Sequence, residues 1–160
     1  NPIYEGTNTV QALDLLGRKV LGNQGATLKK FGKEIAVFIE AEGVNEKMAE
    51  FINPLAMLAD QMTKFTTEIG FRGFQNADEV GAAAFDYMKV AGHLVFAYMF
   101  ARMAQVALQK IAEGNTDPFY QGKLQTARFY FAKLFPETLT LMKTARNGVK
   151  VLLDTDAALA

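Results

Sequence analysis

The sequence predicts an all-α protein: an up-down antiparallel helical bundle of four long helices preceded by one lead-in helix. Three observations carry this expectation. Apolar residues recur every three or four positions along nearly the whole chain, and the alternating patterns of strands are nearly absent. The links between the periodic stretches, near residues 22–24, 42–44, 70–76 and 114–117, are short. Short links between long helices force consecutive helices to be antiparallel neighbours.

The lead-in helix is expected from about Thr9 to Leu21, with Val10, Leu13, Leu16 and Val20 inward, Thr7 or Asn8 as cap and Gly22-Asn23 as its end. The second runs from about Gly25 to Ala41 on a stripe of Leu28, Phe31, Ile35 and Phe38, and Gly43 closes it. The third, from about Asn45 to Ile69, carries Met48, Phe51, Leu55, Leu58, Met62, Phe65 and Ile69 in alternating steps of three and four. Pro54 falls inside that seam, and the unbroken pattern favours one kinked helix over two. The fourth opens at Asn76 with Glu79 at capping-box spacing and runs to about Glu113. Its expected inner face is Val80, Ala84, Tyr87, Ala91, Leu94, Tyr98, Ala101 and Leu108. The fifth opens on Asp117-Pro118, a cap followed by proline at the first helical position. Its expected inner face is Tyr120, Leu124, Ala127, Phe131, Leu134, Thr138, Leu141 and Ala145, with a bend at Pro136 and an end at Gly148.

Composition narrows the chemistry. The chain has 160 residues, half of them hydrophobic and 21% charged, which suits a globular domain with a core. Seventeen basic residues balance seventeen acidic ones, so neither a nucleic acid nor a membrane is an expected partner. There is no Cys and a single His, His93. Thiolate chemistry, disulfides and two-His metal sites are excluded, and no metal is expected. No apolar run of membrane-spanning length and no signal peptide stand out, and the expected location is the cytoplasm. The first residue is Asn1 rather than Met, which suggests a processed chain or one cut from something longer.

Most candidate groups read first as structure. His93 reads as a packed or rim histidine rather than a base. Phe129, Tyr130, Phe131 and Phe135, with Phe96, Tyr98 and Phe100, read as core or subunit interface. The last three cannot share one side of a helix, so the fourth helix is expected to be covered on two faces. The carboxylates Glu40, Glu42, Glu46 and Glu50 lack the further ligands of a two-metal site, and His93 has no Glu three residues away. Gly70-Phe71-Arg72-Gly73-Phe74 lacks the Lys and Ser/Thr of a phosphate loop and reads as a turn. The seams offer few polar groups for an internal ligand cavity, Thr138 and Gln105 among them.

Glu5 is different. It sits between Tyr4 and Gly6, directly before a helix start at Thr7-Asn8 whose free amides suit an anion or a carbonyl. A carboxylate at such a turn is a general-base candidate.

The run Tyr4-Glu5-Gly6-Thr7-Asn8-Thr9-Val10-Gln11 closely resembles the catalytic-loop segment of the acyl-CoA dehydrogenases. The following Ala12-Leu13-Asp14-Leu15-Leu16-Gly17-Arg18-Lys19 is similar to the branch with an additional C-terminal helical domain, and the remainder resembles that extension in length and helix order. The resemblance implies that residues 1–22 end the catalytic core and residues 23–160 form the added bundle. It implies that Glu5 removes the α-proton of an acyl-CoA thioester, that Gly6 lies against the substrate, and that Thr7, Asn8 and Thr9 contact FAD. It further implies an electron-transferring flavoprotein as acceptor, upstream domains of the same protein as partners, and a homodimer. The bundle is then structural, and these 160 residues alone are expected neither to hold FAD nor to oxidise acyl-CoA. The alternative from another class is a non-catalytic helical interaction or scaffold module.

Overall fold

The computed structural model describes residues 7–153, and among them there is no strand. Helix α1 spans Thr7–Leu13 and continues through a wider π-type turn, Asp14–Val20, into a tight turn at Leu21–Asn23. Helix α2 is Ala26–Glu42, α3 Ala49–Gln75, α4 Asp78–Ala112, α5 Pro118–Phe129, α6 Glu137–Ala145 and α7 Lys150–Leu153. A second π-type stretch, Tyr130–Leu134, follows α5 directly.

The described residues divide into two compact units, one holding residues 7–30, 62–91 and 138–153, the other residues 31–61 and 92–137. In the first, Leu16 and Val20, Met62, Phe65 and Ile69, Ala83, Tyr87 and Val90, and Leu141, Met142 and Ala145 are buried. In the second, Ile35, Phe51, Leu55 and Leu58, Leu94, Ala97, Tyr98 and Ala101, and Leu124, Ala127 and Tyr130 are buried. Both follow up-down order. In the first, Phe65 stacks on Tyr87 while Arg72 pairs with Glu79, so α3 and α4 run antiparallel. In the second, Tyr130 stacks on Phe100 while Glu137 faces His93, so α4 and the chain after α5 run antiparallel.

The third-helix seam is borne out in full: Met48, Phe51, Leu55, Leu58, Met62, Phe65 and Ile69 are all 2% exposed or less. Pro54 lies in the sixth position of α3, which passes through it as one helix. Asp117 caps α5 by accepting from the Phe119 amide at 2.9 Å, with Pro118 first in the helix. Gly114, at φ +82°, ends α4, and the Asn115 amide donates back to the Lys110 carbonyl at 3.0 Å.

Three expectations about helix faces and ends need correction. On α1, Val10 and Leu13 are exposed, and Ala12, Leu16 and Val20 turn inward instead. That helix ends not at Gly22-Asn23 but at Gln24 and Gly25, both with positive φ. Past α5, Leu134 is exposed and Phe135 buried. The reason is the π-type turn: the Phe135 amide reaches back five residues to the Tyr130 carbonyl at 3.0 Å. That wider step moves the inward face from Phe131 and Leu134 to Tyr130 and Phe135.

On α4, the buried stripe is built largely from alanines: Ala83, Ala84, Ala97, Ala101, Ala104 and Ala107. Small side chains let the neighbouring backbones approach closely along that stripe. As expected, Phe96, Tyr98 and Phe100 meet cover on two faces: Tyr98 lies edge-on to Phe31 and Phe38 of α2, while Phe96 and Phe100 on the other side meet Tyr130, although Phe96, Met99 and Val106 stay half-exposed. This double apolarity also makes α4 long and apolar enough, by length and composition, to cross a membrane, which the sequence reading did not anticipate. Asp86, Lys89 and Arg102 interrupt it.

The register correction has a direct test. Phe135→Ala should cost about 3–5 kcal/mol in chemical denaturation, as for other buried Phe truncations. Leu134→Ala should stay below about 1 kcal/mol. The order reverses if the helix keeps an ordinary α register there.

Candidate functional site

Glu5 and Gly6 lie outside the described residues. Thr7, Asn8 and Thr9 form the first turn of α1, with Thr7 and Asn8 half-buried and Thr9 exposed. No acidic side chain sits in that turn. The helix is fixed on its inner side by Ala12, Leu16 and Val20. Beyond it, Leu21 packs so closely on α3 that a Cβ at Gly70 would lie 3.2 Å from its methyl group. On the outer side Asp14 is held by Arg18 and Lys19, and the Arg18 hydrogen bond leads in lowering its carboxyl to about 2.

The same unit contains a clamp of four charges. Arg72 near the end of α3 pairs with Glu79 at the start of α4 and donates to the Arg146 carbonyl at 3.2 Å. Arg146 in turn donates to Glu68 at 2.8 Å, and its guanidinium covers the Phe65 ring at 5.2 Å. Glu79 also accepts from the Val149 amide at 3.4 Å. This explains why the expected capping box does not form. Asn76 does accept from the Asp78 amide at 3.1 Å, but the Glu79 carboxylate is committed to Arg72 and Val149. Gly148 passes against this pair with φ +73°.

The buried Tyr87 phenol shares a 2.8 Å hydrogen bond with Thr66. The Thr66 hydroxyl donates to the Met62 carbonyl at 2.7 Å, so the Tyr87 hydroxyl is the donor to Thr66. Burial pushes the Tyr87 phenol up to about 12.

In the other unit, His93 meets the expectation of a packed residue. The Tyr130 hydroxyl donates to the His93 carbonyl at 3.0 Å and lies 3.1 Å from its Nδ1. The phenol has one proton, so Nδ1 must carry its own and donate to the phenol oxygen. Nε2 then faces Glu137 at 3.5 Å. Tyr130 is buried among Phe100, Phe131 and Phe135, and burial drives its phenol far above the usual range. Gln105 donates to Glu42 at the rim of an open polar cleft, and Thr138 is buried, so the two do not converge on a cavity. Among the described residues no group of three or more His, Cys, Asp or Glu is placed to hold a metal.

A family model described as "Acetyl-CoA dehydrogenase C-terminal like" matches residues 31–156. The chain belongs to the C-terminal-domain family of the acyl-CoA dehydrogenases. The 3-methylmercaptopropionyl-CoA dehydrogenase of Ruegeria pomeroyi is 30% identical over 140 residues, 85% of this chain and 23% of that protein. A butyryl-CoA dehydrogenase of Syntrophomonas wolfei is 30% identical over 154 residues, 89% of this chain and 24% of that protein. The broad-specificity linear acyl-CoA dehydrogenase FadE5 of Mycobacterium tuberculosis is 26% identical over 165 residues, 94% of this chain and 26% of that protein. The chain thus spans about a quarter of the length of the relatives it matches.

Within this acyl-CoA dehydrogenase region the long-range links of the charge clamp had no spacing signal in the sequence. Only Glu68 and Arg72 stand at the helical i,i+4 spacing; the other links join residues 7 to 78 positions apart and obey no spacing rule. The one hint was Gly148, a glycine past a helix end.

Two outcomes follow. Gly148→Ala combines a left-handed φ with a Cβ that collides with the Arg72 guanidinium. It should cost about 2 kcal/mol or more, read as a lower urea midpoint. Tyr87 ionises more readily unfolded than folded, so stability should fall as pH rises from about 10 toward 12. Burial of Tyr130 acts in the same direction. Tyr87→Phe should lower stability by about 1 kcal/mol at pH 7 and flatten the urea-midpoint curve above pH 10.

Proposed function

We propose that this chain works as the C-terminal part of an FAD-dependent acyl-CoA dehydrogenase that desaturates an acyl-CoA thioester between Cα and Cβ. What supports this most is one conjunction. A Tyr4-Glu5-Gly6-Thr7 motif stands ahead of residues 31–156, which match the family's C-terminal model, and the named relatives are all acyl-CoA dehydrogenases. In this reading residues 1–22 close the catalytic core and residues 23–160 form an added bundle with a structural role.

Glu5 takes the proton from Cα of the thioester, and its backbone amide donates to the thioester carbonyl, where negative charge develops. Gly6 allows the substrate to lie against the backbone. Bound FAD would accept the hydride that leaves Cβ as the double bond forms. Thr7, Asn8 and Thr9 would hold the flavin nucleotide. They supply two hydroxyls, a carboxamide and helix-start amides, with no carboxylate within the turn itself, a donor set that suits an anionic cofactor. Most of the flavin and CoA contacts lie in upstream domains, so these 160 residues alone hold no flavin. An electron-transferring flavoprotein is the acceptor, and the whole enzyme is a homodimer.

The test is anaerobic flavin bleaching of the whole protein with short acyl-CoAs. The unsubstituted enzyme should bleach. Glu5→Gln should keep its flavin and lose bleaching by 10³-fold or more, the scale of a removed general base. A Gln variant that bleaches at the original rate, or a whole protein without flavin, turns the assignment to a non-catalytic scaffold module.

A further inference from the structure

Helix α4 carries a second apolar stripe, on the side turned away from its buried alanines. Gly92, Phe96, Met99, Met103, Val106 and Lys110 follow one another in alternating steps of four and three, the spacing of a coiled-coil seam. All six belong to the second unit. Phe96, Met99 and Val106 are half-exposed and Met103 half-buried, so no helix among the described residues closes over this seam. Gly92 sits in a helix interior, where glycine is less favourable than alanine, and a Cβ there would meet no atom within 4 Å. Neighbours within the described residues therefore do not require it. Between Gly92 and Lys110 the one Asp, Glu, Lys or Arg is Arg102. Its guanidinium is turned onto the Tyr98 ring at 5.6 Å, the ring that meets α2. The middle of the seam is thus left without charge. An exposed apolar run at heptad spacing is a surface for pairing with another helix.

We infer that this seam pairs antiparallel with the same seam of a second copy of the chain, about a two-fold axis level with Ala101. What selects this occupant is that the seam is complementary to itself. In that register Met99 of each copy meets Met103 of the other, Phe96 meets Val106, and Lys110 meets Gly92. The glycine leaves room for the aliphatic stem of Lys110, whose ammonium stays at the edge, 2.7 Å from Glu113 of its own chain. Sliding one copy by a heptad either sets Lys110 against Met99 or carries Val106 past Gly92 and out of the apolar run. One register alone therefore covers all four apolar residues with one another. Methionine at both central positions adapts to such a junction. Equal numbers of basic and acidic residues leave no net repulsion between two copies. A two-fold contact uses one patch twice, so no second surface is needed. The inference does not depend on the dehydrogenase reading.

The 160 residues contain no Cys, so introduced thiols report the seam directly. Met99→Cys and Met103→Cys versions of the whole protein are produced together in one cell and oxidised mildly, and the cross-linked peptides are quantified by mass spectrometry. Disulfides joining position 99 to position 103 should exceed those joining 99 to 99 or 103 to 103 at least tenfold. A second pair reads the same contact without thiol geometry. Met99→Glu and Met103→Lys should each lower the association constant in sedimentation at least tenfold when produced alone, and recover it when produced together. Equal yields of all three disulfides mean chance collisions and overturn the inference. If neither pair behaves as stated, the inference also falls, and the face is then covered by another segment of the same protein or by lipid. Both positions lie outside the core, and a native circular-dichroism spectrum for each variant separates lost pairing from lost folding.

Discussion

Six large side chains of α3, with Met48 in the turn just before it, must be kept from water, and that demand sets the course of the chain on either side of it. Each is worth about 1.5–3 kcal/mol when buried, more than any single polar contact in the molecule. The first half of the seam shares its unit with buried residues of α2, α4 and α5, and Phe51 lies edge-on to Phe131 of the π-type stretch that follows α5. The second half is closed by α1, α4 and α6, with Phe65 stacked on Tyr87. The alanine stripe of α4 follows from the same demand. A helix that faces seven bulky residues contributes small ones so that the layers interdigitate.

Polar groups are placed where this apolar scheme needs direction. Arg128 meets Glu50 in one unit through a forked contact of 2.7–3.1 Å, and Arg146 meets Glu68 in the other; each joins residues 78 positions apart. These pairs are half-exposed and contribute little energy. What they supply is register, since a one-turn slip of either helix would separate them. The Arg72–Glu79 pair is more enclosed and also ties down the backbone at Arg146 and Val149. The single histidine is consumed in the same way, its Nδ1 proton committed to Tyr130.

Much of this was legible in the sequence because helical periodicity is local. The α3 seam, the Asp117-Pro118 cap and the all-α class needed only spacing and residue type. The reading failed where a distant partner or a change of pitch decided the outcome. Leu134 and Phe135 exchange places because a π-type turn is not written in any three-four pattern. Val10 and Leu13 look like core residues when α1 is read alone. Glu79 has the capping-box spacing, yet Arg72 and Val149 hold it instead. The candidate site divides likewise. The Tyr4-Glu5-Gly6-Thr7 motif is readable as a string, whereas the charge clamp is assembled from segments up to 78 residues apart.

The π-type turn at Tyr130–Leu134 also bears on how this chain tolerates change in length. In an ordinary α-helix, losing one residue rotates everything beyond it by about 100° and turns the buried face outward. Here the chain already carries a surplus residue between Tyr130 and Phe135. Shortening that stretch by one turns a five-residue step into a four-residue step, and both side chains stay on the same face. Among homologues this is therefore the place where a single-residue gap would fall inside a helix without disturbing the core, and alignments across it should be anchored on Tyr130 and Phe135 rather than on unbroken helical spacing.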